Sequence, residues 1–400
     1  MIIDTILTIM ITFRILKQSK RSNARLGVLQ TSHGEVKTPA FVPVATQAAV
    51  KTLNSEEIPL TGTQLLIANT FHLHLKPGER IVKKNGGLHD FMNWQRPLMT
   101  DSAGFQVFSL GFGKDHGVGK ILRAPNTNAI SLGQKPKNVK ITNEGVWFQS
   151  PVDGAKLFIG PKESMRIQEE LGADIIFAFD ECTSPLSDHA YNERALEKTH
   201  AWARVCLQTK KSRQALYGIV QGGKYKDLRE KSAQYIGSLP FDGFGIGGEF
   251  GDSKKTMIQM LRWTLVNLPV EKPKHLLGIG HLEDIPLIIQ EGVDTFDCIV
   301  PTHYARHGYA FVNQESKVKS QSGKTKFKKV DVSKKSMLKD LKPLDPMCDC
   351  FVCKHYTRSY LSHLMRAKEI TALRLLTFHN LYIFNSYVAM IREQIRKGVV

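Results

Sequence analysis

Cysteine is scarce in this chain. Six cysteines stand among 400 residues, which excludes a disulfide-stapled scaffold and fits a reducing compartment, so the expected location is the cytoplasm. Long apolar runs are also missing. Nothing approaches the ~20 residues that span a bilayer. The opening stretch Met1–Phe13 is apolar but short. It carries Asp4 and lacks the basic start and small-residue cleavage point of a secretory signal, so residues 1–12 are expected to be an N-terminal extension. Acidic residues are few: 37 Asp plus Glu against 55 Lys plus Arg leave a net charge of +18. That balance disfavours cationic ligands and favours nucleic acid or another anionic surface. His pairs at strand ends are absent as well, which argues against a metal-dependent hydrolase. The hydrophobic share, 42%, is too high for a disordered chain and suffices for a large core.

From about Thr38 one rhythm repeats: a short apolar run, a polar residue or glycine, then a longer amphipathic stretch. The runs are Ala40–Val44, Leu65–Asn69, Pro97–Asp101, Lys156–Gly160, Ile175–Asp180, Leu216–Gln221, Phe241–Gly247, His275–Gly280 and Thr295–Val300. They are too short for helices and too uniformly apolar for strands with one wet face, as buried parallel strands are. Pro161–Leu171, Asn192–Thr209 and Lys226–Ile236 have helical spacing. Such alternation implies an α/β fold, either a (β/α)8 barrel or a doubly wound sheet.

Two segments break the rhythm. Gly111–Thr142, rich in Gly, Lys and Asn, reads as an insertion near the third strand. Lys317–Lys342 holds ten lysines against Asp331 and Asp340, and reads as a solvated basic linker or a phosphate-contacting arm. Beyond it, Tyr356–Glu369 and Ile370–Lys397 have helical patterns. The expected organisation is an extension at 1–12, a barrel at 13–316, a linker at 317–342 and a zinc-binding helical subdomain at 343–400.

Three constellations carry chemistry. Cys348, Cys350 and Cys353 form C-x-C-x2-C, and an imidazole would complete a closed, structural zinc site. His379 is the leading candidate, His363 competes, and His355 lies very close to the cysteines. The second constellation is acidic: Asp101, Asp180 and Asp297 each stand at or near the end of an apolar run. In a barrel such ends share one rim. One carboxylate there can attack an acetal-like carbon while another moves the leaving group's proton, although each Asp could equally cap a helix. Third, Gly218-Ile-Val-Gln-Gly-Gly and Phe244-Gly-Ile-Gly-Gly-Glu-Phe-Gly put glycine at two more strand ends, where a flat ligand could approach the main chain.

Together, Thr38-Pro-Ala-Phe-Val-Pro-Val-Ala-Thr, Asn69-Thr-Phe-His-Leu, Asp101-Ser-Ala-Gly-Phe-Gln-Val-Phe-Ser-Leu, Phe179-Asp-Glu-Cys, Gly218-Ile-Val-Gln-Gly-Gly, Phe296-Asp-Cys-Ile-Val-Pro-Thr and the cysteine knuckle resemble the tRNA-guanine transglycosylases, also called queuine tRNA-ribosyltransferases, of bacterial type. The likeness runs from about Phe13 to the C-terminus. It implies a (β/α)8 TIM barrel with a C-terminal zinc subdomain. It also implies exchange of the wobble guanine in tRNAs for Asp, Asn, His and Tyr for a 7-deazaguanine. By this resemblance Asp297 is the nucleophile and Asp101 the general acid/base. Asp180, Gln221, Gly247, Gly248, Cys182 and Ser102 bind the base, Phe105 stacks on it, and Arg306 contacts tRNA. Zinc, one per subunit, is held by Cys348, Cys350, Cys353 and His379. The implied partners are tRNA, the 7-deazaguanine base and a second copy of the chain in a homodimer.

Two features depart from the family pattern. The loop Gly247-Gly-Glu-Phe-Gly-Asp252 is shorter than usual, which leaves the incoming base open between 7-aminomethyl-7-deazaguanine and queuine. His303 replaces a second tRNA-contacting arginine. The alternatives are a non-catalytic tRNA-binding subunit, a small-molecule barrel hydrolase and a pure RNA-binding protein. The first would lack Asp297 or Asp101, and the last would not need three acids that repel phosphate.

Overall fold

The structure, a computed structural model, describes residues 11–109, 139–248, 250, 253–314 and 326–400. Eight strands close into a barrel in chain order: Ala40–Ala45, Leu66–Ala68, Leu98–Thr100, Ile175–Phe177, Ala215–Val220, Gly243–Ile246, Lys274–Leu276 and Thr295–Cys298. All eight neighbouring pairs are parallel. The last strand pairs with the first, Asp297 opposite Val42, so the sheet is closed and the doubly wound alternative is excluded.

The run Lys156–Gly160 needs a correction. Lys156–Ile159 is not a barrel strand: it pairs antiparallel with Val146–Gln149, which pairs in turn with Val139–Ile141. Three successive apolar residues, Leu157 to Ile159, look alike in a buried parallel strand and in a partly wet hairpin strand. Of the expected insertion at 111–142, residues 111–138 lie outside the described residues, as do 1–10 of the N-terminal extension and 317–325 of the basic stretch. The rest of that stretch is structured. Phe327–Asp331 pairs antiparallel with Tyr309–Asn313, and Lys335–Lys339 makes a 3-10 turn.

The barrel interior is filled by Ala40, Val42, Leu65, Ile67, Met99, Ile175, Phe177, Ala215, Tyr217 and Ile219. Leu29 and Val36 join this cluster from a meander of Thr12–Gln18, Arg25–Thr31 and Gly34–Thr38. The meander covers the N-terminal end of the barrel. Arg25 grips Asp294, just before the last strand, through two bonds of 2.8 and 2.6 Å, and Ser32 and His33 reach Asp174, just before the fourth. One end is thereby closed by packed side chains, and among the described residues the C-terminal rim is the end left open to a ligand.

The long helix Ile370–Lys397 ends on Gly398 in the left-handed conformation, with Arg396 and Lys397 in its last turn. It packs on the helix Val300–Arg306 and on the first barrel strand. Buried amides fasten it. Asn380 accepts from the Phe311 N–H (3.0 Å) and donates to the carbonyls of Pro301 (3.1 Å) and Tyr309 (3.0 Å). Asn385 donates to the Thr61 carbonyl and the Thr63 hydroxyl, both at 3.0 Å. No helix among the described residues is long and apolar enough to cross a membrane. Replacing Asn380 with Leu would strand three buried backbone groups, so Asn380→Leu is expected to cost about 3 kcal/mol and lower the melting temperature in a thermal scan.

Candidate active site and metal centre

A cavity of about 460 Å³ opens at the C-terminal rim. Its lining includes Asp101, Ser102, Phe105, Asp180, Cys182, Gln221, Gly247, Gly248 and Asp297. Barrel closure thus brings nine of the ten non-metal residues singled out in the sequence to one place. The tenth, Arg306, lies outside that lining, on the helix that begins two residues after the last strand.

Asp101 follows the third strand and is held by four donors. Its Oδ1 accepts from the N–H groups of Thr70 (2.9 Å) and Ala103 (3.1 Å). Its Oδ2 accepts from Asn69 Nδ2 (2.6 Å) and Gln106 Nε2 (3.1 Å). Asn69 also caps the helix Thr70–Leu75 by accepting from the His72 N–H. One side chain therefore sets both the helix start and the acid. Withdrawal from water pushes Asp101 up to about 7 and the charge of Asp297 adds to this, while the bonds from Thr70, Ala103 and Gln106 oppose it. A carboxyl group poised there can hold or release a proton near neutral pH.

Across the cavity, Asp180 accepts from the Ser102 hydroxyl (2.8 Å) and from Gln221 Nε2 (2.6 Å). With its amide nitrogen so committed, Gln221 turns a buried Oε1 that has no partner among the described residues. Such an atom is costly without a donor, and a ligand N–H would supply one. Gly248, at φ +87°, passes so close that an added Cβ would lie 2.6 Å from that oxygen. Phe105 is 40% exposed at the rim, where a flat ring could stack. The arrangement could take a planar, hydrogen-bonding ligand, with the carboxylates of Asp101, Asp180 and Asp297 at hand.

Sequence reading passed over several neighbours. Asn69, His72, Gln106 and Cys298 also line the cavity. Arg229, fully buried, braces the two glycine turns by donating to the carbonyls of Gly223 and Gly247, each at 2.8 Å. His275 and the Gly278 N–H both reach Oδ1 of Asp297, at 3.2 and 2.8 Å. The strand-end position of Asn69 was a usable signal, but Arg229 sits on a helix and gave none.

Cys348, Cys350, Cys353 and His379 form one cluster whose ligand atoms all lie within 4.8 Å of one another. His379 Nε2 donates to the Phe311 carbonyl (2.8 Å), which leaves Nδ1 unprotonated and facing the sulfurs at 3.9, 3.5 and 3.4 Å. Tetrahedral zinc with usual bond lengths sets sulfur and nitrogen about 3.6 Å apart, so the residues fit the ion. His355 and His363 are exposed and outside the cluster. Four protein ligands leave no open position, and the site lies away from the cavity lining, so a zinc ion held here would support structure.

A second cluster, His33, His89 and Asp174, does not suit a metal. The two imidazoles stack 3.6 Å apart at 15°, so their in-plane lone pairs do not converge. The carboxylate is already bonded to Ser32 (2.8 Å), His33 (2.6 Å) and the Leu98 N–H (2.9 Å).

Two outcomes follow. The chain purified without chelator is expected to carry about one zinc by elemental analysis, and Cys353→Ser to lose both the metal and thermal stability. For Asp101, a folded-state value of about 7 against an ordinary 3.8 means that the folded chain keeps a proton the unfolded chain has lost. That contribution to stability is complete below about pH 4 and is lost as pH rises through about 7. Asp101→Asn, which cannot ionise, should therefore gain melting temperature relative to wild type between pH 4 and pH 8, measured at constant ionic strength.

The family model described as queuine tRNA-ribosyltransferase matches residues 19–400. The chain is 46% identical over 382 residues to a protein of Archaeoglobus fulgidus, with 94% of each chain covered. It is 42% identical over 392 residues to the queuine tRNA-ribosyltransferase of Halothermothrix orenii, covering 98% of this chain and 95% of that one. Identity to the queuine tRNA-ribosyltransferase of Caldanaerobacter subterraneus subsp. tengcongensis is also 42%, over 390 residues and 97% and 94% of the two chains. With its eight-stranded barrel and Cys3His cluster, this chain belongs to the queuine tRNA-ribosyltransferase family of pentosyl-transferring enzymes.

Proposed function

We propose that this enzyme exchanges the wobble guanine of GUN-anticodon tRNAs, those for Asp, Asn, His and Tyr, for a 7-deazaguanine through a covalent Asp297–ribose intermediate. The observation that carries this reading is the shared cavity: Asp101 and Asp297 border the same slot as the Asp180–Gln221 pair. Attack of the Asp297 carboxylate on ribose C1′ forms a C–O bond as the bond to guanine N9 breaks. The electron pair goes to the guanine, and the proton held on Asp101 neutralises it. In the second half the incoming base gives its N9 proton to Asp101, N9 attacks C1′, and Asp297 leaves. An acid that holds a proton near neutral pH, Asp101, suits the proton-transfer half of this division of labour.

The base must be splayed out of the anticodon loop to enter the cavity. Asp180 would accept from its N–H groups, the free Oε1 of Gln221 would take a further donor, and Gly247, Gly248, Cys182 and Ser102 would border it. Phe105 would stack on the ring from the rim. Arg306 and the surplus of basic residues supply phosphate contacts, in a cytoplasmic homodimer. Zinc, held by Cys348, Cys350, Cys353 and His379, would supply a structural cross-link and no chemistry at the ribose.

The test is base exchange with unmodified tRNA of the His anticodon and labelled guanine. Wild type is expected to incorporate label and to form a tRNA adduct on a denaturing gel, while Asp297→Ala loses both by at least about 10³-fold. Competition with 7-aminomethyl-7-deazaguanine and with queuine then names the incoming base. No incorporation by wild type, with zinc and tRNA binding intact, would overturn the reading in favour of a non-catalytic tRNA-binding subunit.

A further inference from the structure

The two oxygens of Asp297 are not equivalent. Oδ1 accepts from the Gly278 N–H at 2.8 Å and faces His275 Nε2 at 3.2 Å. Oδ2 has no hydrogen bond from any described residue, although Asp297 itself lines the cavity. Gly278 reaches this position with φ +75°, a conformation that favours glycine. His275 is wholly buried, inside the strand Lys274–Leu276 that pairs with the Asp297 strand. Its Nδ1 lies 2.8 Å from the hydroxyl of Thr295, two residues before Asp297.

These contacts fix the imidazole. A carboxylate oxygen accepts, so the Nε2–H of His275 is the donor to Oδ1, while the Thr295 hydroxyl against Nδ1 holds the ring in that orientation. We infer that His275, oriented by Thr295, is a positioning residue that together with the Gly278 N–H pins Oδ1 of Asp297 and leaves Oδ2 as the atom that bonds to ribose C1′. This deepens the proposed transglycosylation and rests on Asp297 being its nucleophile.

The chemistry benefits twice. During attack, pinning Oδ1 aims the free oxygen and removes the rotational search of a short carboxylate. In the covalent intermediate Oδ1 is the ester carbonyl. When the incoming base displaces Asp297, the C1′–Oδ2 bond breaks, its electron pair returns to the carboxylate, and negative charge spreads to Oδ1, where two N–H donors already point. No further reactant is needed, since the proton traffic stays with the bases and Asp101.

The sequence pattern hides this role. His275 opens an apolar run, His275-Leu-Leu-Gly-Ile-Gly, and reads as a polar interruption at the edge of a core strand. Around it lie the Phe177 ring, tilted with centroids 5.5 Å apart, and its two polar partners on the neighbouring strand. A purely structural histidine would have its second nitrogen satisfied by backbone or by a residue remote from chemistry.

Three variants test the inference: His275→Phe, which keeps the bulk and loses both bonds, His275→Gln, which keeps an N–H near the Nε2 position, and Thr295→Val. Each is assayed for guanine exchange, for adduct formation and for tRNA binding, with a melting curve as the folding control. His275→Phe is expected to lose about 10- to 100-fold in kcat, the worth of a hydrogen bond to a charged group, with KM for tRNA within threefold of wild type. His275→Gln should recover most of that loss. Thr295→Val, free to adopt the tautomer that turns an acceptor toward Asp297, should lose kcat in the same sense. Wild-type turnover in folded His275→Phe overturns the inference. If that variant does not fold, wild-type turnover in Thr295→Val does. Asp297→Ala, run alongside, separates the two failures: if it still exchanges guanine, the nucleophile assignment falls. If it is inactive while His275→Phe is normal, only the role of His275 falls.

Discussion

Closure of the sheet is the constraint on which the site depends. Strand Thr295–Cys298 pairs with Ala40–Ala45 across the seam, and that single parallel pairing turns a row of strand ends into a ring. Asp101 stands one residue beyond the third strand, Asp180 three residues beyond the fourth, and Asp297 inside the eighth. These residues are up to 196 positions apart in the chain, yet all border one cavity because parallel strands end on one side. In an open sheet the same strand ends would form a line, with the first and eighth strands at opposite edges.

The C-terminal subdomain secures the seam from outside. Its long helix lies against the first strand and the helix that follows the eighth, and its buried asparagines answer backbone groups that would otherwise be stranded. The metal cluster grips the same helix through His379, whose other nitrogen holds the Phe311 carbonyl. Asn380, the next residue, bonds the Phe311 N–H. Metal site, helix and hairpin thus meet within two consecutive side chains, so a zinc ion bound there would act on barrel packing and not on a remote appendage.

Much of this was legible in the residues. Eight of nine apolar runs became barrel strands because buried parallel strands need nothing but apolar, mostly branched side chains. Lys156–Gly160 failed the test because a four-residue strand carries too little periodicity to reveal its wet face. The cysteine spacing pointed to a metal but left His363 open beside His379; the family resemblance chose His379, and the fold bears this out, since both lie on helices and only His379 turns toward the sulfurs. Asp101, Asp180 and Asp297 could be found by position at strand ends. His275 and Arg229 could not, since they act through partners from other strands and helices that no local pattern brings together.

The meander across the N-terminal end of the barrel has a consequence for traffic. Leu29 and Val36 seal that end, and the interior behind the cavity is filled. Among the described residues, the slot therefore opens only at the C-terminal rim. In the proposed exchange, with tRNA attached to Asp297 through its ribose, the expelled guanine would leave by that opening and the replacement base would come in by the same route. Outgoing and incoming bases would queue for one seat. On the proposed exchange the enzyme would be a turnstile, and the ratio of free guanine to 7-deazaguanine in its surroundings would set how often a turn ends in modification and how often it simply restores the original nucleotide.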